Sequence, residues 1–172
     1  MIYLSIINTN IPYSSDLLVQ NIYDLLRFYP FINVQTIGNS VLGKPIYVIK
    51  LGKGSKQVFY SASIHANEWI TSPLLMKFVE DYCIAYTNNQ NIYGYSIRNL
   101  FNSVSIYIAP MVNPDGVDLL TGAYNSDSNI FGSFQNIANN YPNIPFPNGW
   151  KANFNGVDLK NYQPFSQSLV CV

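Results

Sequence analysis

Residues 103–112, SVSIYIAPMV, form an almost unbroken apolar run of strand length. A strand with apolar side chains on both of its faces has no side to offer to water, so other elements must cover it from above and below. The elements around it suit that demand. Ser14 or Ser15 can cap a helix in which Leu18, Ile22, Leu25, Leu26 and Tyr29 recur at three- and four-residue spacing, and Pro30 stops it. NVQTIG and PIYVIKLG are β-rich runs separated by the turn-forming SVLGK, and QVFYSASI follows the turn LGKGSK. From Trp69 to about Tyr86, Ile70, Leu74, Leu75, Phe78, Val79 and Tyr82 fall on one helical face, with Pro73 early enough for a first turn. The order helix, strands, helix, strand predicts an α/β domain.

A length of 172 residues fits one domain with a real core. Nine basic residues balance nine acidic ones, so there is no positive field to draw a phosphate backbone, and nucleic acid is not an expected partner. No apolar run approaches the ~20 residues of a membrane span. The opening MIYLSIINTN has neither a basic n-region nor a small-residue cleavage site, and Cys83 and Cys171 make no disulfide framework. A reducing, cytoplasmic setting is the expectation. From Asn113 onward the sequence turns to Gly, Asn, Ser and Pro, and residues 117–149 read as one long irregular loop within the domain.

The only histidine, His65, stands where the third strand hands over to the second helix, with Glu68 three positions later. A neutral imidazole nitrogen and a carboxylate oxygen both suit zinc, and the carboxyl end of a strand is where open α/β sheets keep their ligands. Taken alone, H-x-x-E is also common by chance. NPDG at residues 113–116 has a full explanation as a type I turn. GNSVLGK at residues 38–44 almost spells a phosphate-binding loop, but Pro45 stands where a Mg²⁺-holding hydroxyl would be and a strand follows instead of a helix. Cys83 lies on the same helical stripe as Val79 and reads as core.

Taken together, SIHANEWI, APMVNPDGVDLL and GWKANFNGVDL resemble the zinc carboxypeptidases, the carboxypeptidase A-like metallopeptidases, and within them the bacterial γ-D-glutamyl-diaminopimelate peptidases of cell-wall peptides. VLGKPI and TSPLLMKFVEDY add to the likeness, which runs from about Ser15 to Pro164. The resemblance implies a mixed, twisted sheet flanked by helices, the phosphorylase/hydrolase-like zinc carboxypeptidase fold. It implies Zn²⁺ as cofactor, a peptide of cell-wall type as substrate, and His65 and Glu68 as two zinc ligands. In such an enzyme zinc polarises the scissile carbonyl and lowers the pKa of water to ~7, with a glutamate as general base.

The same resemblance places Lys151 near the residue that stabilises a developing oxyanion, there as a point charge without the planar fork of arginine. Asn67 occupies the position of a cleft arginine, and Lys160 and Asn161 stand where an Asn-Arg pair grips the substrate carboxylate. A catalytic zinc takes three protein ligands, yet no second histidine occurs in the chain, and the family's general-base segment has no counterpart in it. The expectation is therefore a single, truncated domain over residues 1–172 with an incomplete zinc site. Asp115, Asp158 or Cys171 are the in-principle third donors. A dead remnant or peptide-binding module, or one half of a split enzyme partnered by a complementing C-terminal half, are the alternatives to an active peptidase. Missing strands would also leave an apolar sheet edge prone to oligomerise.

Overall fold

The computed structural model describes residues 5–160. Helix α1 (Ser15–Phe28) starts under Ser14, whose hydroxyl accepts from the Leu17 N–H. It buries Leu18, Ile22 and Leu25. Strands β1 (Asn33–Asn39), β2 (Pro45–Leu51) and β3 (Lys56–Ser61) follow at the positions their β-rich runs predict. Helix α2 (Thr71–Thr87), a small hairpin of β4 (Asn91–Ile92) and β5 (Tyr95–Ser96), and helix α3 (Ile97–Ser103) lead into β6 (Val104–Ala109). Helices α4 (Pro114–Leu120) and α5 (Asn129–Ala138) complete the described chain.

The main sheet runs β1-β2-β6-β3, antiparallel across the first two pairings and parallel between β6 and β3. It is thus the mixed sheet flanked by helices that the resemblance implies, within the α/β class that the patterning predicts. The apolar run becomes its inner strand: opposite β2, Ile49 pairs with Ile108 and Leu51 with Ile106, which puts all four on one face. That face meets Leu18, Ile22 and Leu25 of α1 and Met76, Val79, Tyr82 and Cys83 of α2 in one core. Cys83 is fully buried and burial pushes its thiol up to about 12, so it is an inert core residue. Among the described residues no helix is long and apolar enough to cross a membrane.

Three sequence expectations change. The buried face of α2 is rotated: Val79 and Tyr82 point inward, but Ile70, Leu74 and Phe78 are 54, 65 and 37 % exposed, while Ser72 and Glu80 are buried. Polar groups occupy the inner face because their hydrogen bonds are met there, Ser72 by Ser63 and Glu80 by the Ser5 hydroxyl, the Ile6 N–H and Lys77. NPDG is a helix start, with the Asn113 side chain accepting from the Gly116 N–H and Pro114 in the first turn, where its missing N–H costs nothing.

Residues 117–149 are not one irregular loop. They finish α4 and then form α5, capped by Ser128. Ile130, Phe131, Phe134 and Ile137 do recur at helical spacing, diluted by Asn, Ser and Gly. Their cover comes from a second core around Phe134, Leu119 and Trp150, with Phe134 edge-on to Phe154 at 4.9 Å.

Burial works against the Glu80 charge, but the Ser5 hydroxyl, Lys77 and the Ile6 N–H outweigh it and hold the carboxyl below its ordinary value of 4.5. A carboxyl lowered by folding stabilises the fold above its unfolded pKa, and that contribution is lost as the pH falls below about 4.5. Melting curves of the wild type should therefore drop through this range. Glu80→Gln should melt lower near neutrality and show a flatter acid limb; an unchanged limb would assign the acid sensitivity to other carboxylates.

Candidate metal centre

The site grows out of the parallel β3/β6 pair. Past Ser61, opposite Ala109, the two chains stay joined, the Ala62 N–H donating to Ala109, Val112 to Ala62 and Asn113 to Ser63. The chain then turns sharply, with His65 leading a short 3-10 turn, Ala66–Glu68, into α2. One turn separates His65 from Glu68, and their side chains meet: Nδ1 of the imidazole lies 2.9 Å from Glu68 Oε1. On the far side of the ring, Nε2 lies 3.2 Å from Asp158 Oδ1. His65 is 7 % exposed, whereas Glu68 is open to solvent.

What brings Asp158 there is an anchored return of the chain. The Ala66 N–H donates to the Lys151 carbonyl, and Asn113 Nδ2 donates to that of Ala152. Behind them Gly116 fits where nothing larger could: a Cβ built on it would stand 2.7 Å from Ala66 Cβ. NPDG is thus the clasp that holds residues 150–152 against the turn carrying His65.

The loop GNSVLGK belongs to the same scaffold. Asp115 accepts from the Ser40 hydroxyl and the Leu42 N–H, and Asp118 accepts from the Ser15 N–H, the Ser15 hydroxyl and Lys44 Nζ. Partial burial opposes the Lys44 charge, yet Asp118 keeps its pKa above the ordinary lysine value. Both carboxylates are buried and satisfied, Asp115 by this loop and Asp118 by Ser15 together with Lys44, so the lysine that resembles a phosphate binder is a structural cation.

A cleft of about 550 Å³ is walled by Tyr141, Ile144, Pro145 and Trp150, with Lys151 also lining it, and Asp158, the partner of His65 Nε2, stands in its wall. Lys151 is exposed and borders the cleft. Asn67 is half-buried, and its Oδ1 has no hydrogen-bond partner among the described residues. Lys160 is exposed, and its N–H donates to Asp158 Oδ1. Asn161 and Cys171 lie outside the described residues.

The donor chemistry suits zinc at two corners. Glu68 and Asp158 approach opposite nitrogens of one imidazole, whose lone pairs diverge, so both cannot join His65 on a single ion. A ligating histidine characteristically gives its other ring N–H to a carboxylate that fixes the tautomer. With Glu68 as the second ligand, Asp158 would hold that place and not be a third donor, and Asp115 is already engaged by Ser40 and Leu42. Among the described residues no three His, Cys, Asp or Glu side chains form a group able to hold a metal.

An imidazole oriented from behind by a carboxylate and flanked in front by a glutamate, at the carboxyl edge of a mixed sheet, is the type of corner on which metallohydrolases are built. The zinc carboxypeptidase family model matches residues 18–168, and the chain belongs to that family. It is 42 % identical over 164 residues to the γ-D-glutamyl-L-diamino acid endopeptidase 1 of Lysinibacillus sphaericus, covering 95 % of this chain and 41 % of that protein. It is 39 % identical over 158 residues to the Bacillus subtilis protein YqgT, covering 88 % of this chain and 40 % of that one. The structure of bovine thrombin-activatable fibrinolysis inhibitor in complex with tick carboxypeptidase inhibitor shares the fold, with a TM-score of 0.59 at 21 % identity over 95 % of this chain and 41 % of that chain. The chain therefore spans about two fifths of the length of the relatives it matches.

Proposed function

We propose that these 172 residues supply the His65/Glu68 half of a zinc peptidase centre that acts on γ-D-glutamyl peptides of cell-wall type. The observation that carries this reading is the imidazole held between Asp158 and Glu68. With its Nε2–H directed to Asp158, His65 offers the Nδ1 lone pair on the side of Glu68, and these two side chains would hold the ion. Zinc, when bound, supplies Lewis acidity toward a peptide carbonyl. The chain's own contribution is to fix the imidazole, to keep a carboxylate beside it and to line a cleft in which Lys151 sets a positive charge. The name of the Lysinibacillus relative supports the substrate class.

Among the described residues no three His, Cys, Asp or Glu side chains group as a metal site, and the sequence holds no second histidine. This favours a second reading, in which the isolated chain binds peptide without cutting it and hydrolysis requires a complementing polypeptide. Calorimetric titration with zinc separates the possibilities. Weak saturable uptake by the metal-free wild type, lost in His65→Ala, is expected, because two donors hold zinc less firmly than three. No uptake by the wild type would sink the metal reading. Hydrolysis of a γ-D-glutamyl-diaminopimelate peptide should appear only when the chain is co-expressed with the part of the Lysinibacillus relative that it does not cover, and should be stopped by a chelator. Chelator-sensitive cleavage by the chain alone would overturn the need for a partner.

A further inference from the structure

Three described non-glycine residues have left-handed backbone, and two of them, Asn89 and Tyr93, stand in exposed turns. The third is Ser63, with φ of 48°, 1 % exposed and two residues ahead of His65. A buried non-glycine residue keeps this conformation only where its surroundings hold it, and such residues gather at functional sites.

Every polar atom of Ser63 is engaged. Its N–H donates to Thr71 Oγ1 at 2.9 Å and its carbonyl accepts from the Asn113 N–H at 3.0 Å. Its hydroxyl lies 2.6 Å from Ser72 Oγ and 3.3 Å from the Glu68 carbonyl, to which Thr71 Oγ1 also donates at 2.7 Å. Ser63, Thr71 and Ser72 thus form a hydroxyl cluster under the turn that carries His65 and Glu68. One end grips the backbone of Glu68, and the left-handed residue bends the strand exit so that His65 comes round to face it.

We infer that Ser63 is a positioning residue, its left-handed backbone and its hydroxyl contact with Ser72 together setting the His65 imidazole against Glu68. The inference rests on the reading of these two side chains as metal ligands. The local bend and the hydroxyl cluster oppose each other energetically: the backbone conformation is unfavourable for serine, while the hydrogen bonds hold it in place. Glycine at this position would keep the bend without strain and lose the hydroxyl.

Because His65 is the only histidine, its ring resonances identify themselves in NMR spectra of the isotopically labelled chain. Spectra of metal-free wild type, Ser63→Gly and Ser72→Ala at one fixed pH, beside thermal melts and zinc titrations, test the inference. Ser63→Gly should melt no lower than wild type, yet show broadened or doubled His65 ring signals and zinc affinity about tenfold or more weaker. Ser72→Ala, which leaves the backbone bend intact, should show the same ring effect. Folded variants whose ring signals match wild type in position and width would overturn the positioning role. Should wild type take up no zinc, the ligand reading fails by that result, and the ring signals still decide on Ser63.

Discussion

Asp118→Ala is expected to lower the melting temperature by on the order of 10 °C, corresponding to about 3–5 kcal/mol, or to leave the chain insoluble. Asp118 is 1 % exposed and accepts from the Ser15 N–H, the Ser15 hydroxyl and Lys44 Nζ. Removing the carboxylate leaves a backbone donor at the start of α1 and a half-buried ammonium without their acceptor, and uncompensated buried charge is among the costliest defects a fold can carry. With a total stability of about 5–15 kcal/mol, little margin would remain. The damage should also reach the site, because α4 carries both Asp118 and the Gly116 that packs on Ala66. Asp118→Asn keeps an acceptor oxygen and should lose less. A melt of Asp118→Ala within a degree or two of wild type would show that the Ser15–Lys44–Asp118 network is dispensable.

Gly54→Ala is the second large effect, and its cause is steric. A Cβ on Gly54 would fall inside the backbone of Ser103 and Val104, where no flexible side chain can give way. Main chain must move, at a cost of about 3 kcal/mol or more, the upper end of what overpacking causes. Gly54 also accepts from the Ser105 hydroxyl at 2.8 Å, and just beyond it the first pair of the parallel ladder, Lys56 with Val104, begins. Since β3 leads directly into the turn bearing His65, a displaced ladder should both lower the melting temperature and speed amide exchange along β3. Normal protection of β3 amides in Gly54→Ala would mean that the 52–55 turn relaxes without disturbing the sheet.

Much of this architecture was legible before any coordinates. The first helix, the three strands after it and the inner strand at residues 103–112 follow from hydrophobic period, caps and turn residues, all of which act within a few positions. The pair His65 and Glu68 was legible for the same reason, since three residues on a turn bring their side chains to one place. The α2 face was misread because an apolar stripe was assumed to be the buried one. The choice was made by Ser63 and Lys77 nearby and by the distant Ser5, which together satisfy Ser72 and Glu80.

The family motifs themselves conceal their division of labour. NPDG, VLGKPI and GVDL read alike as strings, yet Asp115 and Asp118 brace a loop while Asp158 orients an imidazole 93 residues away. By itself the sequence determined the α/β class, the element order and the adjacency of His65 and Glu68, because these depend on spacing along the chain. Only the tertiary structure decided which carboxylate meets which partner, why Ser63 is bent, and that α5 finds cover for its diluted apolar face. Such contacts join residues far apart in sequence, and they are set by how the two cores pack and by which buried polar groups find partners, neither of which a local pattern records.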